Sequence, residues 1–323
     1  MQSDILEIVK PKKAKKKKVS NIRKRLVLGD IHGHLNTTLD IIENECPDDV
    51  IILGDYFDNF HGTDKEIIDC FKTLINYKVK HEKSGKGQFV MLIGNHDFQY
   101  MDLGEHYSGK RKSYELAVSM MLDRAIEKKQ LQYFFIDDIN KTVYSHAGIM
   151  NKWLSENRLF INDLHDLENI DPSKFKFTHR GGNSGYGDGP YASPIWVRPY
   201  TLEFDMYKDN TGWQWTQIVG HTPKSIPSIY CGSVMELFTG EHEFIYEQDE
   251  EYKFDQYSSR DWPFLYVIDS LPYYYIIEEI DNNSGKIIKR TVKKNGLVPS
   301  KEEIINKRIN DLYNLIIKKD YES

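Results

Sequence analysis

Five short stretches of this chain share one pattern, an aliphatic or β-branched run that stops at glycine and a polar residue. They read "KRLVLGD", "VIILGD", "QFVMLIGN", "KTVYSHAG" and "TQIVGH". Runs this short, bounded by turn-forming residues, are the mark of buried strands that end abruptly. Between the early ones lie segments with helical spacing: Leu35, Leu39 and Ile42; then Ile67, Ile68, Phe71, Leu74 and Ile75; then Leu116, Met120 and Ala125 within 113 to 129. Strand alternating with helix predicts an α/β assembly. From about 228 to 280 the pattern changes to strand-like runs such as "FLYVID" and "YYYIIEEI", which are expected to complete a second sheet. Near the end, "KEEIINKRINDLYNLIIKK" puts Ile304, Ile305, Ile309, Leu312, Leu315 and Ile316 on one helical face and predicts a docked amphipathic helix. The expected organisation is a basic tail over 1–24, one catalytic-size domain over 25–282 and a helical extension over 283–323.

A chain of 323 residues with 40% hydrophobic content can bury a sizeable core. Its three cysteines, Cys46, Cys70 and Cys231, are scattered singly, which argues against a disulfide framework or a thiolate zinc site and points to a reducing compartment. No stretch approaches the roughly 18 consecutive apolar residues of a membrane span, so the expectation is a soluble, cytoplasmic protein. Charge is uneven. The net value of -6 combines a balance of +8 over residues 1–25 with -14 over the rest. The segment "KPKKAKKKK" suits nucleic acid, an anionic surface or nuclear import, and equally a disordered solubilising arm.

In open α/β sheets ligands gather beyond the carboxyl ends of strands. The polar residues there are Asp30 and His32, Asp55 and Asp58, Asn95 and His96, His146, and His221. Each alone has a plain structural explanation: a turn, a helix cap, a satisfied histidine. Together, if the five ends converge, they form a mixed oxygen and nitrogen shell suited to two divalent first-row ions. Without such counter-charge these groups are costly to bury side by side.

The ordered set "GDIHG", "GDYFD", "GNHD", "SHAG" and "VGHT" resembles the calcineurin-like metallophosphoesterase superfamily, and within it the phosphoprotein phosphatases. The resemblance implies an αββα sandwich of two mixed sheets flanked by helices. It implies Asp30 and His32 as ligands of one metal, Asp55 as the bridging carboxylate, and Asn95, His146 and His221 as ligands of the second. His96 matches the family's catalytic imidazole and Asp58 the acid that orients it. His34 falls outside the shared motif. Arg198 in "SPIWVRPY" resembles the phosphate-clamping Arg of the bacterial-type and Shewanella-like branches, and Asn95 is expected to serve both metal and phosphate.

The implied reaction is hydrolysis of a phosphate monoester by a hydroxide bridging two metals, since such a pair lowers the pKa of its shared water toward roughly 7. Manganese is the first expectation for the metals, with iron or zinc as alternatives. One departure stands out. Asn59 occupies the position of the family's GDxxDRG arginine, leaving Arg180 or Arg111 as substitutes, and the glycine-rich loop from Arg180 to Pro190 as a candidate flap. The expected substrate is a serine/threonine phosphoprotein or a similarly accessible small phosphoester. The alternatives are a nucleotide or nucleic-acid end, as for diadenosine polyphosphate hydrolases, and a catalytically silent binding module. Tyr273, Tyr274, Tyr275, Trp213 and Trp215 are expected to pack rather than to stack bases.

Overall fold

The computed structural model describes residues 21–58, 62–101, 115–160, 164–175, 187, 189–207, 213–223, 228–231, 251–253, 264–268 and 274–295. The basic tail up to residue 20, Asn59, Arg111, Arg180, nearly all of the glycine-rich loop, Tyr273 and the C-terminal amphipathic stretch lie outside them.

Eleven strands form two sheets among the described residues. The first contains β1 (Ile22–Leu28), β2 (Asp49–Ile52), β3 (Phe89–Met91), β8 (Glu251–Lys253), β10 (Tyr274–Asp281) and β11 (Ile287–Lys294) in the order β3-β2-β1-β10-β11-β8. The second contains β4 (Phe134–Asp137), β5 (Thr142–Ser145), β6 (Thr216–Val219), β7 (Ser228–Cys231) and β9 (Phe264–Val267) in the order β4-β5-β6-β9-β7. Strands β1, β2 and β3 run parallel, as do β5, β6 and β9, while β10, β11, β8, β4 and β7 pair antiparallel. Both sheets are therefore mixed.

Side-chain alternation explains the layering. Along β1, Leu26 and Leu28 face one core while Val27 faces another; Val50 and Ile52 against Ile51, and Phe89 and Met91 against Val90, repeat the division. The second core joins these inner residues to Tyr144, Ile218 and Tyr266 of the other sheet, so it fills the space between sheets. The first core joins the outer residues to helices: α1 (Leu35–Glu45), α2 (Asp64–Lys83), α4 (Glu115–Glu127), α5 (Asn151–Glu156) and α6 (Pro199–Tyr207). The result is the αββα sandwich. Its α2 starts at a capping box, with Thr63 Oγ1 accepting from the Glu66 N–H and Glu66 accepting from the Thr63 N–H, which fixes where the chain leaves the β2 loop.

Three expectations change. The strands after residue 228 divide between the sheets: β7 and β9 complete the second, as expected, whereas β8, β10 and β11 join the first. The boundaries at 24/25 and 282/283 cut through paired strands, because Ile22–Lys24 already pair with Glu279–Asp281 and β11 forms a hairpin with β10. In α4 the buried face is Val118, Leu122 and Ala125, while Leu116 and Met120 are 75% and 58% exposed; two apolar stripes compete on that helix, and tertiary packing selects the other one. Tyr274, Tyr275, Trp213 and Trp215 are buried, as packing residues should be. No helix among the described residues is long and apolar enough to cross a membrane.

Candidate metal centre

The parallel strands of both sheets deliver their carboxyl ends to one edge. Loops after β1, β2, β3, β5 and β6 carry Asp30 and His32, Asp55 and Asp58, Asn95 and His96, His146, and His221. The loops are laced together by their backbones: Ile31 N–H donates to Gly54 O at 3.1 Å, His32 N–H to Asp55 O at 2.7 Å, and Gly220 N–H to His146 O at 2.7 Å. Glycine is required where they meet. A Cβ on Gly54, which sits at φ +124°, would lie 2.6 Å from the Gly94 nitrogen, and one on Gly94 would lie 2.6 Å from the Asp55 nitrogen and would strike its carboxylate.

Four of the polar residues adopt left-handed backbone conformations that non-glycine residues rarely take: His32 (φ 40°), Asp55 (54°), Asp58 (62°) and His221 (64°). Such conformations cost about 1–3 kcal/mol each and persist where surrounding structure enforces them, typically at functional sites.

Asp55 is the hub. Its Oδ1 accepts the His96 N–H at 2.9 Å. Its Oδ2 lies 3.5 Å from His32 Nε2 and 3.5 Å from His146 Nε2. In both histidines the other nitrogen faces a backbone carbonyl, His32 Nδ1 to Phe57 O at 3.2 Å and His146 Nδ1 to Leu53 O at 3.0 Å. A carbonyl can only accept, so each Nδ1 carries a proton and, in the neutral ring that binds metal, each Nε2 turns a lone pair toward the same carboxylate oxygen. Lone pairs converging from two sides on an anion repel one another unless cations intervene.

The rest of the cluster repeats the pattern. Asn95 Oδ1 stands 2.8 Å from both His146 Nε2 and His221 Nδ1. Both Asp30 oxygens accept the His221 N–H, at 3.1 and 3.0 Å, and Asp30, Asp55 and His146 have ligating atoms within 4.8 Å of one another. Burial lowers the pKa of His146 and, helped by His146 and Arg198, holds that of His221 well below the usual range, so both rings are neutral, the form that binds metal. His221 Nε2 is buried without a hydrogen-bond partner. These donors fit divalent cations on either side of Asp55.

His96 stands at the rim, its side chain 27% exposed, with Nδ1 3.0 Å from Asp58 Oδ2. Burial opposes its protonation, yet Asp55 and then Asp58 push its pKa up to about 9. It also shares a cluster with His32 and Asp55, all within 4.8 Å. Arg198, just ahead of α6, directs Nη1 to His221 O at 3.4 Å and Thr222 Oγ1 at 3.3 Å, which brings its guanidinium to the loop holding His221. The Trp196 ring stands edge-on to His221, with centroids 5.8 Å apart. The nine candidate residues are thus linked through successive contacts, while His34 is exposed at the start of α1, as its position outside the motif suggests.

Asp97 was not foreseen. Its buried carboxylate accepts N–H groups of Asp55 at 2.9 Å, Tyr56 at 2.8 Å and Gly94 at 2.8 Å, tying the β2 and β3 loops together. Gln99 and Tyr100, which both donate to Asp58, were also missed. Their only signal is position, since His96, Gln99 and Tyr100 are spaced i, i+3, i+4 from the start of α3 (Asn95–Phe98) and so share one face of a helical turn.

A search of curated protein sequences finds no match. Among solved structures, the chain is similar to a protein serine/threonine phosphatase from Saccharomyces cerevisiae with similarity to human phosphatase PP5, at 13% identity and a TM-score of 0.46, covering 88% of this chain and 82% of that one. It is also similar to purple acid phosphatase PPD1 from yellow lupin (Lupinus luteus) seeds, at 12% identity and a TM-score of 0.36, covering 84% of this chain and 53% of that one. The model of the calcineurin-like phosphoesterase family matches residues 23–238, two thirds of the chain. Since that span holds every loop that converges on Asp55, the chain belongs to the calcineurin-like phosphoesterase family and is a metal-dependent phosphoesterase.

Proposed function

We propose that this chain is a dimetal phosphomonoesterase whose substrates are phosphate esters of alcohols, foremost phosphoserine and phosphothreonine in accessible protein segments. The observation that carries the reading is the pair of imidazoles, His32 and His146, each fixed by a backbone carbonyl and each aiming Nε2 at Asp55 Oδ2 from 3.5 Å. Asp30, His32 and Asp55 would hold one ion, and Asp55, Asn95, His146 and His221 the other. Manganese is the first choice, with iron or zinc as alternatives. When bound, such a pair supplies an acidified water and neutralises charge on the phosphoryl oxygens.

The residues of the chain do the remainder. His96, with Nδ1 engaged by Asp58, keeps its transferable proton on Nε2. As the ester P–O bond breaks, its electron pair passes to the leaving oxygen, which takes that proton; the oxygen of water forms the new P–O bond, and a proton lost from water balances the imidazole. An alkoxide needs this donation far more than a less basic leaving group does, which favours esters of serine and threonine over anhydrides. Arg198, anchored beside His221, is assigned to the phosphate, where a planar guanidinium can bind two oxygens at once. The rim exposure of His32 and His96 suits a phosphate presented on a larger partner.

The test is a comparison of kcat/KM for a phosphoserine peptide, a diadenosine polyphosphate and a 3′-phosphorylated oligonucleotide, with manganese and with chelator. The reading predicts chelator-sensitive turnover that is highest on the peptide. Preference for the oligonucleotide or the anhydride would replace the substrate assignment. His96→Asn should retain its metal and lose about a hundredfold or more in turnover; loss of metal instead would make His96 a ligand.

A further inference from the structure

We infer that Tyr100 and Gln99 are positioning residues for proton delivery to the leaving group, acting through Asp58. The inference rests on the assignment of His96 as the proton donor. Asp58 is buried at φ 62° and receives several donors: His96 Nδ1 and the Gln99 side-chain amide on Oδ2, and the Tyr100 hydroxyl on Oδ1. All three donors come from one short segment. α3 and the residues that close it set His96, Gln99 and Tyr100 on a single face, and the closing turn is itself fixed by Gln99 N–H to Asn95 O at 3.2 Å and Tyr100 N–H to Asp97 O at 3.1 Å. Gln99 and Tyr100 are buried, whereas His96 stands at the rim.

This arrangement divides the labour. A carboxylate held only by the imidazole could rotate about its Cβ–Cγ bond and would carry the ring with it. With Oδ1 fixed by Tyr100 and Oδ2 shared with Gln99, the plane of the carboxylate is set, and with it the direction in which His96 Nε2 points. Neither residue touches the expected ligand set of Asp30, His32, Asp55, Asn95, His146 and His221 through the contacts that hold Asp58. Their loss should leave the ions in place and disturb only the transfer of a proton from His96 Nε2 to the departing oxygen.

Leaving-group dependence reads this step, since a phosphate ester with a weakly basic leaving group needs little protonation. The full chain with manganese would be assayed on para-nitrophenyl phosphate, phenyl phosphate and O-phosphoserine as Tyr100→Phe, Gln99→Leu, His96→Asn and the double variant His96→Asn/Tyr100→Phe. Bound manganese would be counted in parallel. Expected for Tyr100→Phe and Gln99→Leu is a kcat loss of about tenfold on O-phosphoserine, shrinking toward wild type on para-nitrophenyl phosphate, and smaller than the roughly 10² to 10⁴ a whole general acid supplies. Manganese content should stay at the wild-type level, and Tyr100→Phe should cost nothing further once His96 is gone.

Losses equal across the three esters, or fully additive in the double variant, would overturn the inference while leaving His96 as donor. A flat profile for His96→Asn itself would remove the donor assignment and the inference with it. Gln99→Leu reads the same slope independently if Tyr100→Phe does not fold.

Discussion

Glu278→Gln removes one negative charge from a buried set at the end of the sandwich away from the metal centre. Glu278 on β10 is fully buried and accepts from Arg25 at 3.1 Å, the Tyr144 hydroxyl at 2.6 Å and Arg290 at 2.7 Å. Arg25 also donates to Asp137 at 2.9 Å. Two guanidiniums thus face two carboxylates, and the contacts join β1, β10 and β11 of one sheet to β4 and β5 of the other. The substitution keeps the volume and the Tyr144 bond but leaves two cations sharing one anion. Breaking a buried pair costs about 3–5 kcal/mol; we take about 3, because Arg25 keeps Asp137 and Arg290 keeps its place over the Tyr266 ring, 4.9 Å from the centroid. Urea unfolding reads the loss as a lower midpoint at unchanged slope, and the metal content of the folded variant should equal that of wild type. A loss below about 1 kcal/mol, the worth of an exposed pair, would refute the claim that this network pins the sheets together.

Gly54→Ala should lose about 2–3 kcal/mol and weaken metal retention together, since φ +124° and the 2.6 Å approach to the Gly94 nitrogen both exclude a Cβ; calorimetry with and without manganese measures both. Glu45 gives the pH dependence. Burial raises its pKa, but the Tyr275 hydroxyl, Lys293 and Lys24 outweigh that and hold it below the usual value. Its stabilisation is complete above the unfolded pKa of about 4.3 and is lost as pH falls through the lower folded value. Glu45→Gln should therefore flatten the acid limb of stability against pH, and an unchanged limb would assign that limb to other carboxylates.

Much of this molecule is legible in its residues, for reasons that differ by level. The five site-bearing strands were readable because each is a short β-branched run cut off by glycine, and the glycines prove to be contact points where Gly54 and Gly94 admit no side chain. The polar cluster was readable because an imidazole, carboxylate or amide stands at each of those five ends. The face of α4 was not, since Leu116 and Met120 compete with Val118 and Leu122 for the core and periodicity cannot choose between two apolar stripes. α6 carries no signal of its own, its Pro-Tyr start and mixed composition giving no helical stripe. Asp97, Gln99 and Tyr100 were silent because their partners, Asp55, Tyr56 and Asp58, lie about forty residues away in sequence and meet them only in the folded chain.

On the reading proposed above, Asp55 would help to hold both cations, one together with His32 and the other together with His146. Counting manganese per chain by elemental analysis after equilibration and gel filtration tests it most directly, across wild type, His32→Ala, His146→Ala and Asp55→Asn. Expected are two ions in wild type, one in each histidine variant and neither firmly held in Asp55→Asn. A single ion in wild type, or two ions retained without the Asp55 carboxylate, would contradict it.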